Sequence, residues 1–174
     1  GLVVTHVLFR DPGAEFKEDI FTVGKAAAAG GVRSVILMAN TTPHVDNGET
    51  LRYVMEKGKK TGIHVYTCAN VTMEMAGDEL TDMEELAKGG AVGFTDDGKP
   101  LLDSRLVRQA MQEAARLGMP ISFHEENPAF IENNGIHAGK AAAHYGIGGS
   151  DRQAEIDLVR RDLSIALEAG ADVV

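Results

Sequence analysis

The chain has 174 residues, 44% hydrophobic and 25% charged, which is enough apolar content for a packed core and too much for a disordered segment. Lys and Arg number 17 against 26 Asp and Glu, a net charge of −9, which argues against an extended nucleic-acid backbone or an anionic membrane as partner. Cys68 is the single cysteine, so no intramolecular disulfide can form, and no stretch reaches the roughly 18 to 20 apolar residues of a membrane span. These features read as a cytoplasmic protein.

In chain order, a first apolar strand opens at Gly1-Leu2-Val3-Val4, and one junction then recurs: a helical pattern ends in Gly and an apolar, β-rich run follows. The copies are Ala29-Gly30-Gly31 before Val32 to Met38, Thr61-Gly62 before Ile63 to Cys68, Lys88-Gly89-Gly90 before Ala91 to Phe94, Leu117-Gly118 before Met119 to Phe123, and Ala169-Gly170 before Ala171 to Val174. Counted from Gly30, Gly62, Gly90, Gly118 and Gly170 the spacings are 32, 28, 28 and 52 residues. The first three are each the length of one strand-helix unit, the repeat of a parallel sheet with helices outside.

Apolar stripes predict helices over 16–29 (Ile20, Val23, Ala27), 49–60 (Leu51, Val54, Met55), 104–117 after an Asp103-Ser104 cap, and 151–168 (Ile156, Val159, Leu163, Leu167). The Asn-, Gly-, Ala- and His-rich stretch 127–149 accounts for the long spacing and reads as an elaborated loop with a short helix. Six strand candidates alternating with helices fit a doubly wound sheet or a (β/α)₈ barrel. The barrel is favoured because no G-x-G-x-x-G follows the first strand, and polar residues end several strands in turn. The expectation is an α/β fold of TIM-barrel type: residues 1–174 as a single partial barrel domain of about five βα units plus the start of strand six. The chain opens without Met and stops in a strand, so both ends read as cut.

Period-two alternation places Val4, His6 and Leu8 on one face of the first strand, with Arg10 where the chain leaves it. The later strands end in Met38-Ala39-Asn40, Cys68-Ala69-Asn70, Thr95-Asp96-Asp97-Gly98 and Phe123-His124-Glu125-Glu126. Singly these are ordinary turn formers. In succession they point to a site at the C-terminal face of a barrel. Glu125, Glu126, His44, His64, His137 and His144 read as solvated loop or edge groups.

The blocks Gly1-Leu2-Val3-x-Thr5-His6-Val7-x-Phe9-Arg10-Asp11-Pro12-Gly13, Lys17-Glu18-Asp19, Ala26 to Gly31, Met38-Ala39-Asn40-Thr41-x-Pro43 and Gly93-Phe94-Thr95-Asp96-Asp97-Gly98 resemble the class I dihydroorotases of the amidohydrolase superfamily, across the N-terminal two-thirds of their barrel. The resemblance implies a hydrolase acting on a cyclic amide, interconverting L-dihydroorotate and N-carbamoyl-L-aspartate in pyrimidine biosynthesis. It implies zinc, one or two ions in the family and at most one here, with His6, Asp97 and His124 as metal ligands. Asp97 would also be catalytic, and Arg10 and Asn40 would hold the substrate carboxylate, a role suited to a two-pronged guanidinium and an amide donor. Two positions depart from the pattern: Leu8 stands where the family carries the second histidine of His-x-His, and Val4 where it carries an acidic residue. The alternative expectation is therefore an inactive or engineered barrel fragment, lacking strands six to eight, that mainly self-associates. The partners expected are a small carboxylate-bearing substrate and further copies of the chain, with no nucleic acid and no membrane.

Overall fold

The computed structural model describes residues 1–174. Its elements are β1 (Leu2–Val7), α1 (Ile20–Ala29), β2 (Val32–Leu37), α2 (Gly48–Gly58), β3 (His64–Thr67), α3 (Met83–Gly89), β4 (Phe94–Thr95), α4 (Ser104–Leu117), β5 (Ile121–Ser122), α5 (Lys140–Tyr145) and α6 (Gln153–Ala169). Local chemistry sets most of the boundaries. Asn47 and Asp103 cap α2 and α4 by accepting backbone N–H bonds, and Gly118 and Gly170 close α4 and α6 in the left-handed region. The first helix starts four residues later than its stripe predicts. The Asp19 carboxylate accepts from Phe21 and Thr22 N–H while the Thr22 hydroxyl reaches back, a capping box that leaves Phe16 outside the helix.

All strand pairs are parallel. β1, β2 and β3 form one sheet in that order, and β4 and β5 form a second. The sheet expected from the sequence is drawn as two short sheets, joined by backbone hydrogen bonds from Val92 to Thr67, from Ala69 to Gly93 and from Thr95 to Ala69, and carried on beyond β5 by those from Ile121 to Asp172 and from Val174 to Ile121. Gly93 and Pro120 stand ahead of β4 and β5 and shorten both strands, since proline brings no N–H and glycine brings no side chain to pack. A Cβ on Gly93 would lie 3.2 Å from the Pro120 carbonyl oxygen, so any larger residue there would crowd the two segments where they approach.

Val35 and Leu37 are buried with Ile20, Leu51 and Val54 beneath the helices. Parallel strands are apolar on both faces, so alternation alone does not say which face meets the helices. The opposite face, with Ile36, Met38 and Cys68, borders a cavity of about 310 Å³ that His6 also reaches. Beyond it Leu2, Val3 and Tyr66 are 63%, 62% and 45% exposed. In β1, Val4 pairs with Val35 and Val7 with Leu37, so three steps of β1 match two of β2. This bulge breaks the alternation, and Leu8, beyond the strand, shares no strand face with His6.

Candidate active site

The C-terminal ends of β1, β2, β4 and β5 meet on one rim, and Asp97, after β4, joins the first two of them. Its Oδ1 lies 3.4 Å from His6 Nε2 at the end of β1. Its Oδ2 accepts from Asn40 Nδ2, after β2, at 3.0 Å, and the same amide nitrogen reaches the Asp97 carbonyl at 3.3 Å. The Asp97 side chain is 16% exposed and that of His6 56%. A carboxylate gripped by one amide and faced by one imidazole keeps lone pairs for a further donor, such as a water or a substrate N–H.

Asp96, one residue earlier, is turned the other way and is buried. It accepts from Val71 N–H at 2.9 Å, from Thr72 N–H at 3.2 Å, from Asn70 Nδ2 at 3.2 Å and from the Thr72 hydroxyl. Burial pushes its pKa up, and these donors pull against that without reversing it. Asp96 therefore fastens the loop after β3 to the end of β4, and it leaves Asp97 to face the cavity.

That cavity, about 700 Å³, is bordered by His6, Asp97, His124, Glu125, Glu126 and His137 among others. Of these, His137 is exposed and Glu126 half-buried, as the reading of solvated loop groups expects, whereas Glu125 departs from it. The cause is plain: α6 and the 127–149 loop fold over the end of β5, and loop residues carry no periodicity that would reveal it. His124 Nε2 lies 3.0 Å from Glu126 Oε2. One Glu125 oxygen is buried with no hydrogen-bond partner, and burial, then the nearby Asp162 carboxylate, raises the Glu125 pKa. Arg10 is half-buried and has no carboxylate within 4.0 Å, unlike Arg105, Arg108, Arg116 and Arg161.

Two imidazoles and a carboxylate are chemically suited to zinc, but a catalytic zinc takes three protein ligands around one point. No three His, Cys, Asp or Glu side chains gather closely enough to hold an ion. His6 and Asp97 form a pair, His124 is paired with Glu126, and Leu8 has no donor atom. The residues of this chain by themselves do not fit the expected centre.

A family model described as Dihydro-orotase-like matches residues 1–173. The dihydroorotase of Clostridioides difficile strain 630 is 51% identical over 173 residues, covering 99% of this chain and 41% of that protein. That of Clostridium acetobutylicum is 50% identical over 171 residues, covering 98% and 40%. The chain thus spans about two-fifths of the length of these relatives. Among solved structures, L-hydantoinase (dihydropyrimidinase) from Arthrobacter aurescens superimposes with a TM-score of 0.76 at 19% identity, covering 99% of this chain and 40% of that one. Dihydroorotase from Saccharomyces cerevisiae in complex with 5-fluoroorotic acid gives 0.65 at 15% identity, covering 98% and 46%. At such identities these two show the fold alone: α/β, of the kind found in TIM-barrel amidohydrolases.

Two outcomes follow from the geometry. Asp96→Asn should lower stability by about 1–3 kcal/mol, since it disturbs buried donors on Asn70, Val71 and Thr72, whereas Asp97→Asn should leave the urea midpoint nearly unchanged. Equal losses would show that the two are not divided in this way. Cys68 is buried, and burial, followed by the Asp97 charge, pushes its thiol pKa up to about 12. A raised folded-state pKa stabilises the fold below the ordinary thiol value, and that contribution is lost as pH rises toward 12. Iodoacetamide at pH 9 should therefore leave Cys68 unmodified in the folded protein and alkylate it in urea; rapid labelling of the native protein would contradict the burial.

Proposed function

The chain belongs to the dihydro-orotase-like family, and we propose that it supplies the carboxylate-binding and water-orienting part of a cyclic amidohydrolase that interconverts L-dihydroorotate and N-carbamoyl-L-aspartate in pyrimidine biosynthesis, in the cytoplasm. The observation that carries this reading is the His6–Asp97–Asn40 chain, whose His6 and Asp97 line the cavity at the rim, with Arg10 free of any carboxylate on the loop after β1. In this reading β1 to β5, with Val173 beside Ile121, are the first arc of a (β/α)₈ barrel, residues 1–174 forming one part-barrel domain, and the site lies at the mouth common to such barrels.

In the hydrolytic direction the ring C–N bond breaks, a C–O bond forms from water, and one proton reaches the departing nitrogen. Arg10 would hold the substrate carboxylate through two parallel N–H bonds, and the Asn40 amide would add a directed donor beside it by giving up its long bond to the Asp97 carbonyl. Held there, the ring lies over Asp97, whose free lone pairs accept from the attacking water and orient it toward the carbonyl. His6, 3.4 Å from the same carboxylate, is placed to pass a proton to or from Asp97. His6, Asp97 and His124 stand as the candidate donors toward zinc, but no step is assigned to a metal because this chain does not gather them.

If Arg10 grips the carboxylate, Arg10→Ala should weaken dihydroorotate binding about ten- to a hundredfold, the loss of one charged hydrogen-bond partner. Titration calorimetry on parent and variant measures it, and unchanged affinity would remove the substrate assignment.

A second reading is favoured by the exposed apolar face. Leu2, Val3, Tyr66 and Val174 are 63%, 62%, 45% and 82% exposed, and β1 has a partner on one edge only. An uncharged, apolar strand edge recruits another strand. The 174-residue chain expressed by itself is therefore expected to form homo-oligomers, most simply a two-fold dimer. Sedimentation at micromolar concentration tests this; a sharp 18.5 kDa monomer that unfolds cooperatively would exclude it.

A further inference from the structure

Asp11 follows Arg10 directly, yet its side chain is wholly buried. A buried carboxylate is costly unless donors converge on it. Three do so here. Lys57 Nζ lies 2.9 Å from Oδ1 and 2.7 Å from Oδ2, the Tyr53 hydroxyl donates to Oδ1 at 2.9 Å, and the Ile20 N–H, at the first residue of α1, donates to Oδ2 at 3.2 Å. Lys57 and Tyr53 sit one turn apart on α2, where Lys57 Nζ is 2.7 Å from the Tyr53 hydroxyl and lies over the Tyr53 ring, 4.9 Å from its centroid. Asp11 thus binds the loop after β1 to the start of α1 and the middle of α2 at once.

The same loop is fixed on its other side. Thr42 N–H donates to the Pro12 carbonyl at 3.1 Å. Gly13 has φ +106, and a Cβ there would come within 2.2 Å of the Thr42 carbonyl oxygen, so only glycine allows this approach to the segment that carries Asn40. Between these two attachments the Arg10 backbone is held while its guanidinium has no carboxylate partner. A fixed base under a free, charged tip is the arrangement expected of a group that binds a ligand with little loss of loop entropy.

We propose that the buried Asp11–Lys57–Tyr53 cluster is a positioning device for Arg10, setting where its guanidinium meets the substrate carboxylate; this rests on the Arg10 assignment above. Asp11 touches no substrate, and its effect passes through its neighbour. The contrasting role, a plain staple between α1 and α2, would lower stability without regard to Arg10.

A double-mutant cycle separates the two. In the intact protein, KM, kcat and the dissociation constant for L-dihydroorotate are measured for Asp11→Asn, Arg10→Ala and the double variant, with thermal melts of each. Positioning predicts that Asp11→Asn weakens substrate binding about three- to thirtyfold, with the change in KM rather than kcat, and adds almost nothing once Arg10 is alanine. Equal loss in both backgrounds would overturn the proposal. If Arg10→Ala leaves affinity unchanged, the carboxylate assignment falls and the positioning role with it. If Arg10→Ala weakens binding while folded Asp11→Asn does not, the positioning role alone falls. Should Asp11→Asn fail to fold, Tyr53→Phe removes a single bond to the carboxylate; a folded Tyr53→Phe with parental KM would equally refute the proposal, and a raised KM that vanishes in the Arg10→Ala background would support it.

Discussion

Two adjacent carboxylates at the end of β4 face opposite ways, and the geometry of the rim depends on that divergence. Asp96 turns inward to backbone and side-chain donors of residues 70–72. Asp97 turns to the cavity, between Asn40 and His6. Every one of these contacts runs from the second sheet to the first, beside three backbone hydrogen bonds, from Val92 to Thr67, from Ala69 to Gly93 and from Thr95 to Ala69. Side-chain polarity thus extends past the strand ends the pairing that the backbone makes along them. The arrangement works because Asp96 is buried deeply enough to need all its partners, and Asp97 shallowly enough to keep room for one more.

The loops after β1 and β2 have a comparable division of labour. Their backbones are tied down by Asp11, Pro12 and Gly13, and the groups left over, Arg10 and the Asn40 amide, carry charge and directed donors. The polar chemistry of the rim is therefore not a set of independent side chains. Three of the half-buried functional groups have a buried neighbour in sequence whose hydrogen bonds fix the backbone: Asp11 beside Arg10, Ala39 beside Asn40, Asp96 beside Asp97.

Much of this was legible in the sequence, for physical reasons that differ from element to element. The Gly-terminated helices announce themselves because a left-handed cap almost demands glycine, and the caps at Asp103, Gly118 and Gly170 lie where they were expected. The start of α1 was misplaced because an apolar stripe does not stop at a capping box. Which face of β2 meets the helices is not legible, because both of its sides carry apolar residues. His6 and Asp97 come together as strand ends on one rim imply, whereas Leu8 escapes the period-two rule through a bulge that no residue pattern signals. The burial of Glu125 is not legible, since it depends on how α6 and the preceding loop fold back, a long-range event with no local signature.

The junction between the two sheets has a mechanical meaning. Three backbone hydrogen bonds, made by Val92, Ala69 and Thr95, and the polar contacts of Asp96 and Asp97 cross it together, so a local fluctuation that opens the molecule along this line breaks both sets at once, at a free energy below that of global unfolding. The candidate site lies across that line, with Arg10, His6 and Asn40 on one bank and Asp97 and His124 on the other. Catalytic geometry and docking of the two halves are then a single equilibrium: amide protons on either side of Ala69 would exchange in step with loss of the His6–Asp97 encounter, and any ligand touching both banks would slow that exchange while it tightens the seam.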